Sequence, residues 1–405
     1  RQAFKDTGIV PENFSFGELP DDFDHFEPYL KKSFHRLPML ENAGIRKFFS
    51  GPESFTPDTQ YLLGETPEIK NFFTCCGFNS IGIASSGGAG RVTAEWMING
   101  HINEDLFSVD IKRFQQFHSS KKFIMERVTE TLGDLYGMHW PYKQHKTSRN
   151  QITLPYHEEL KKLGACFGSS GGFERPMWYS LNGAKAEYEY SFGYQNWYPS
   201  AEYETKNTRK NVGLFELTPF SKFDVAGENV HDELQKLCTA NIKDVEGRST
   251  YTQMLNEDGG IETDVTITCL TKNHFRIIGP AATREHDKFH IKKYLSEKIN
   301  FKDVTEDFAC LGLYGPNTRK LLSNISDDDF SNEGIKFSHG KKVNIDGIDV
   351  WAQRLSYVGE IGFELYVKID DSKKLFLTII NEGKNHNLSL CGAHAMDIML
   401  SLIHI

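Results

Sequence analysis

Three stretches of this sequence carry residue types that could do chemistry. The first is glycine-dense and spans residues 76–90, with Gly82, Gly87, Gly88 and Gly90 inside it. An apolar segment at 72–75 leads in, and a helix-like segment at 91–100 leads out. Strand, glycine loop and helix start together would bring backbone N–H groups against an electron-rich ligand. Glycine has no Cβ to hold the ligand off, and a helix N-terminus offers unpaired donors with a partial positive charge. The same glycines also fit a tight turn that needs them only for its shape.

The second stretch is Gly259-Gly260-Ile261-Glu262-Thr263-Asp264. In a strand, Glu262 and Asp264 share one face, opposite Ile261, Thr263 and Val265. A carboxylate just after a glycine hairpin can accept hydrogen bonds from a cationic or N–H-rich ligand, or act as a base. It can equally be an acidic, solvent-facing strand edge. The third stretch, 354–366, holds Tyr357, Gly359, Glu360, Gly362 and Glu364. An aromatic face with a bidentate carboxylate suits a flat heterocycle that donates from an amidine-like edge. A bulged strand pair with Tyr357 in the core fits the same pattern.

The elements that must position these residues read as α+β. A helix is expected near Phe26, Leu30 and Phe34, ending before Pro38, then a strand over 45–49. Residues 104–173 are polar and rich in His and Lys, without a clear period, and read as a linking region. His118, His139, His145 and His157 lack ligand spacing, so no metal site is expected. Beyond 174, strands come in pairs with helices laid across them: a strand at 222–225, a helix at 229–239, a hairpin around Gly259-Gly260, a helix at 283–297 and further strands to 367.

With 405 residues and 39% apolar content, the chain is long enough for two or three packed domains. A net charge of −9 argues against a nucleic-acid surface, and no apolar run is long enough to enter a membrane as a span. Seven cysteines without a C-x-x-C pair suit a reducing compartment, with Cys75 and Cys76 expected as buried thiols.

Together these stretches closely resemble the sarcosine and dimethylglycine dehydrogenase family. The resemblance rests on Gly51-Pro52-Glu53-Ser54-Phe55-Thr56-Pro57-Asp58, Leu63-Gly64, Cys76-Gly77-Phe78-Asn79-Ser80-Ile81-Gly82 and Gly87-Gly88-Ala89-Gly90 in the first part. In the second it rests on Glu174-Arg175-Pro176-x-Trp178, Leu217-x-Pro219-Phe220-x-Lys222-Phe223, Gly259-Gly260-Ile261-x-x-Asp264 and Ser356-Tyr357-x-Gly359-Glu360-x-Gly362-x-Glu364-Leu365-Tyr366. That second part is similar to the aminomethyltransferase of the glycine cleavage system. The resemblance implies three parts. Residues 1–115 would be the C-terminal part of an amine-oxidase-like FAD domain, 116–173 a central linking domain, and 174–405 an incomplete folate-binding domain.

The implied reaction is FAD-dependent oxidation of an N-methyl amine, with the one-carbon unit passed to tetrahydrofolate. Gly82, Gly87, Gly88 and Gly90 would lie against the flavin's pyrimidine edge. Asp264 would orient or deprotonate the folate amine, and Tyr357 and Glu364 would hold the pterin ring. Electrons would go to oxygen or an electron-transfer flavoprotein, in the bacterial cytoplasm or the mitochondrial matrix. A non-catalytic alternative resembles the regulatory subunit of pyruvate dehydrogenase phosphatase. The chain opens at Arg1, lacks the G-x-G-x-x-G half of a flavin domain, and departs from the family pattern over 400–405. It is therefore expected to be a fragment that is inactive alone. Where aminomethyltransferases carry an asparagine after the second strand, this chain reads Ile278-Gly279-Pro280.

Overall fold

The computed structural model describes residues 3–4 and 9–400, so residues 401–405 of the departing C-terminal segment lie outside the described residues. The first part holds helix α1 (Phe23–Arg36), strands β1 (Leu62–Glu65) and β2 (Phe73–Cys76), and helix α2 (Gly82–Asn99). Helix α1 follows the expected apolar spacing, with Asp22 accepting from the His25 N–H at 3.0 Å, yet it buries none of its residues. The expected strand at 45–49 is irregular chain, because nothing pairs with it beyond a single bridge from Ser50 to Leu19. Strands β1 and β2 form an antiparallel pair that packs on α2 through Leu63, Ala89 and Val92. Gly64 has φ +101°, and a Cβ there would lie 2.7 Å from the Trp96 ring, so this packing requires glycine. Only one face of the pair is covered. Cys75 and Cys76, expected to be buried, are therefore exposed at its open end.

The linking region has more structure than its sequence suggests. Helices α3 (Lys121–Asp134) and α4 (His157–Lys162) flank a loop that Glu130 organises, accepting from the Lys146 N–H at 2.7 Å and the Thr147 N–H at 2.8 Å. The hairpin of β3 (Ala165–Ser170) and β4 (Phe173–Tyr179) follows and packs against what comes next.

The rest is α+β, as expected. In order come α5 (Tyr198–Lys210), β5 (Val212–Glu216), β6 (Ser221–Ala226), α6 (Val230–Leu237), β7 (Ser249–Leu255), β8 (Ile261–Thr271), β9 (His274–Gly279) and α7 (Arg284–Tyr294). Then follow β10 (Asn300–Asp303), β11 (Phe308–Tyr314), α8 (Thr318–Ile325), β12 (Gly340–Ile345), β13 (Ile348–Gln353), β14 (Gly362–Lys368), α9 (Ile369–Gly383), β15 (Leu388–Cys391) and α10 (Ala393–Met399). One sheet has five strands in the order β10-β6-β9-β8-β7. The other has six, β12-β13-β14-β11-β5-β15, antiparallel except for the β15–β5 pair. Each sheet buries one face under helices. The five-stranded sheet packs Val265, Ile267 and Ile277 against Leu234 and Ile291, and the six-stranded sheet packs Leu311, Leu365 and Val350 against Phe376 and Ile379. A further apolar cluster draws from both sheets and α10, joining Phe215, Tyr314, Tyr366 and Met396 with Phe220 and Ile278. Ile278 thus packs as a hydrophobic residue at the position where a polar folate contact was in question.

The chain passes from the six-stranded to the five-stranded sheet over 217–220, between β5 and β6. That passage is fixed by a fully buried cation. Lys222 donates to the carbonyls of Thr218 at 2.7 Å, Phe220 at 2.9 Å and Thr305 at 3.3 Å. Burial pushes its pKa down to about 8, so near neutral pH the ammonium still carries its protons and all three carbonyls are satisfied. Lys222→Met should leave those acceptors buried and unpaired, costing about 2–4 kcal/mol. Chemical denaturation checks this; a loss below about 0.5 kcal/mol would show that the cation is not needed to hold the passage.

Candidate functional site

Asp264 lies on β8 opposite Gln253 of β7, two positions along the ladder from the Tyr251–Thr266 pair and on the same face. It is exposed, while its neighbours Thr263 and Val265 are buried. The Tyr251 hydroxyl donates to Asp264 Oδ2, and this bond raises the phenol's pKa. The carboxylate is thereby oriented without a cation to neutralise it. Glu262 does not share this arrangement. A bulge opposite Met254–Leu255 inserts an extra residue into β8. It turns Glu262 towards α7, where the carboxylate meets Asn256 Nδ2 at 2.9 Å and His286 Nε2 at 3.1 Å. The bulge also leaves Ile261 69% exposed, against the alternation the sequence suggests.

Tyr357 sits on the segment between β13 and β14, with its ring 6.2 Å from that of Phe220. It is partly open rather than core-packed. Burial raises its pKa, and the charges that act on it are Asp397, Arg175 and Asp264. Tyr357 and Asp264 therefore lie close enough for their charges to interact, beside the apolar cluster between the two sheets, and the space around them is termed the chamber. Glu364 lines the same chamber from β14. It accepts from the hydroxyls of Tyr366 at 2.6 Å and Tyr314 at 3.4 Å, with no cation partner, and burial pushes its carboxyl pKa up. Gln353 stands directly opposite Glu364 in the β13–β14 register. Its Oε1 accepts from Trp351 Nε1 at 2.9 Å, which leaves its buried Nε2 donor without a partner. A free amide donor beside a carboxyl acceptor matches a planar ligand edge with an acceptor next to donors.

Tyr251, Gln353 and Arg175 are chamber residues that the sequence patterns did not single out for a role. Tyr251 was accessible in principle. The hairpin register places it diagonally across from Asp264, once the bulge is known.

The glycine stretch differs from expectation. The loop ends at Ile81, and Gly82 is already the first residue of α2. Gly87, Gly88 and Gly90 sit in the second and third turns, where backbone N–H groups are spent on the helix itself. They therefore cannot act as a loop that wraps a ligand. A Cβ on any of the three would meet nothing within 4 Å, and nearby Ile83 is 99% exposed, so this face of the helix is smooth and open. Donors remain only at the helix head. Ile81 provides no side-chain cap, and the first amides after it have no intrahelical acceptor. That head fits an electron-rich edge; the deeper glycines fit a flat surface lying alongside.

A polar seam joins the first part to the five-stranded sheet around a cleft of about 300 Å³. Buried Lys112 pairs with Asp110 at 3.0 Å, donates to the Glu65 carbonyl at 3.2 Å, and lies under the rings of Trp96 and Phe289. Across the cleft, His286 is held between Glu262 and Asp287, at 3.1 and 3.3 Å. Burial opposes its charge, but Asp287 and Glu262 overcome that and raise its pKa to about 9. His286 in turn draws Glu262 down to about 2.

Family models match nearly the whole chain. The FAD dependent oxidoreductase matches residues 6–96, the FAD dependent oxidoreductase central domain 99–153, and the GCVT N-terminal domain 156–400. The chain is 38% identical over 406 residues to a 4-methylaminobutanoate oxidase (formaldehyde-forming) of Paenarthrobacter nicotinovorans, covering 98% of this chain and 49% of that one. It is 31% identical over 430 residues to the mitochondrial sarcosine dehydrogenase of Mus musculus, covering 96% and 47%. It thus spans about half the length of the curated relatives it matches. The crystal structure of glycine cleavage system aminomethyltransferase T from Bartonella henselae superimposes with a TM-score of 0.50 at 23% identity, over 62% of each chain, a likeness of fold.

The seam predicts a pH dependence of stability. The folded pKa of His286 lies above its ordinary value of 6.5, so its contribution is complete below pH 6.5 and lost as pH rises through about 9. Between those values the protein should lose at most about 3 kcal/mol, and His286→Gln should flatten the slope. Denaturation midpoints measured from pH 6 to 9.5 check this. Equal slopes in both proteins would assign the dependence elsewhere.

Proposed function

The chain belongs to the family that joins FAD dependent oxidoreductase domains to a GCVT N-terminal domain, and on that premise we propose that the whole protein oxidises an N-methyl amine and passes the one-carbon unit to tetrahydrofolate. The division into 1–115, 116–173 and 174–405 is proposed with it, the β3–β4 hairpin bridging the second boundary. The substrate class is an N-methyl amino acid, of the kind named for 4-methylaminobutanoate oxidase and sarcosine dehydrogenase. FAD, when bound, would take the hydride from the N-methyl carbon. Gly82 at the head of α2 would offer its amide to the cofactor, and Gly87, Gly88 and Gly90 would give it a side-chain-free surface.

Asp264 is the observation that carries the reading. It is a carboxylate open to the chamber, oriented by the Tyr251 hydroxyl and free of a neutralising cation. There it can accept the proton lost by the folate amine as that nitrogen bonds to the iminium carbon. Tyr357 would cover the pterin face, and Glu364 with Gln353 would read its edge. A purely regulatory relative has no use for these groups, whose remaining donors and acceptors converge on one chamber.

The test is the partition of oxidised methyl groups between methylenetetrahydrofolate and free formaldehyde, per amine consumed. Asp264→Asn should shift it towards formaldehyde by about 100-fold. Tyr251→Phe, which keeps the carboxylate but releases it, should shift it by about 10-fold. An unchanged partition in Asp264→Asn would remove Asp264 from the mechanism.

A further inference from the structure

Arg175 lies on β4 opposite Gly168, inside a sequence motif that the reaction above leaves without a task. It forms no hydrogen bond and no ion pair, and its buried Nε has no partner. Among the described residues this sets it apart from the other arginines that are not exposed. Arg113, Arg149, Arg276 and Arg284 pair with Asp58, Glu174, Asp224 and Asp303. Arg127, Arg248 and Arg354 bond to carbonyls, and Arg319 to Asn332. Neighbouring Glu174 is spent on Arg149 and cannot serve.

The surroundings of Arg175 belong to the chamber. Asp397 of α10, Glu216 and Tyr357 are the groups whose charges act on it, and both carboxylates stay beyond ion-pair distance. Asp397 lies on the exposed side of α10, and burial beside the guanidinium leaves its carboxyl pKa raised rather than lowered. Burial likewise lowers the pKa of Arg175 itself. A guanidinium fork whose Nε is shut off from water with no acceptor is costly, although the residue as a whole is only partly buried. It persists where a ligand supplies the acceptor, and the ligand group that matches such a fork is a carboxylate held by two parallel bonds.

We propose that Arg175 is a carboxylate receptor of the chamber, binding an anionic group of the molecule that meets Asp264 and Tyr357. The inference rests on the folate reading above. Two carboxylates could reach it: the glutamyl group of the folate, or the carboxylate of the amino acid whose methyl group has been oxidised. Both present the same chemistry to the guanidinium.

Titrations on the FAD-loaded protein, read by intrinsic fluorescence, separate the sources. 5-Formyltetrahydrofolate is compared with 5-formyltetrahydropteroate, which lacks the glutamyl group, and glycine or 4-aminobutanoate is titrated into folate-saturated protein. If the glutamyl group is the ligand, Arg175→Gln weakens the folate at least 10-fold and leaves the pteroate unchanged, with Arg175→Lys intermediate. If the amino acid is the ligand, folate affinity holds and amino-acid affinity falls at least 10-fold. Affinities within twofold of wild type in every titration overturn the proposal.

Melting without ligand gives a second reading that does not depend on the reaction. Arg175→Met removes a partly buried charge whose Nε has no partner, so it should melt above wild type. A lower melting temperature would mark the guanidinium as structural and overturn the receptor role. Failure of the wild-type protein to bind 5-formyltetrahydrofolate would sink the folate reading instead. The receptor would then stand or fall on the amino-acid titration and the melting comparison.

Discussion

The ammonium of Lys222 is the point on which the two-sheet architecture turns. A chain leaving one sheet for another must run several residues without ladder partners, and their carbonyls must be satisfied some other way. Here one buried cation satisfies two of them, Thr218 and Phe220, and ties them to the Thr305 carbonyl between β10 and β11. The same short passage is held from the other side. Tyr156 donates to Glu216, and Glu216 accepts from the Thr218 N–H at 2.8 Å. Phe220 then projects towards Tyr357, and the chamber acquires its aromatic wall. A leucine at 222 would fill the space but leave the turn's carbonyls to find other geometry. The chemistry of the chamber is therefore downstream of a purely structural ion.

Several of the buried polar atoms that lack a partner among the described residues lie around the chamber. Buried polar groups are normally paired, because a donor stripped of water and given nothing in return is costly. Gln353 Nε2, Ser356 Oγ and Arg175 Nε are all buried without partners, and all lie on elements that border this one space. One such atom could be an accident of packing. These three, with Glu364 bonded only by two tyrosine hydroxyls, belong to the surface proposed above to take a ligand.

Much of this was legible in the sequence, and what was not has particular causes. The β7–β8 hairpin follows from its glycines, whereas roles for Asp264, Tyr357 and Glu364 came from the family resemblance and not from their spacing. Nothing in their spacing shows that Tyr357 and Asp264 come near each other. Arg175 was visible only as part of a motif, because a missing partner is a property of three-dimensional surroundings. The helix begins at Gly82 rather than 91, about two and a half turns earlier than the glycine stretch suggests. Glycine density signals a loop on propensity grounds, yet here the residues continue a helix whose inner face is anchored by Ala89, Val92 and Trp96. Tertiary burial of one face overrode the local preference of the other. Cys75 and Cys76 were misjudged for the opposite reason. Alternation predicts a buried face only where something covers it, and a two-stranded sheet has little to offer.

The bulge in β8 shows how one irregularity can serve two places at once. Without it, Glu262 and Asp264 would point the same way, and two carboxylates would compete for one environment. The extra residue gives each its own. Glu262 joins the seam through His286, where its charge is matched by an imidazolium, while Asp264 stays in the chamber with only a phenol for company. Two residues apart, one carboxylate is committed to holding the parts together and the other is left available. A strand that must both dock against a neighbour and present a reactive group needs some such break in its period. An uninterrupted alternation could satisfy one demand only by sacrificing the other.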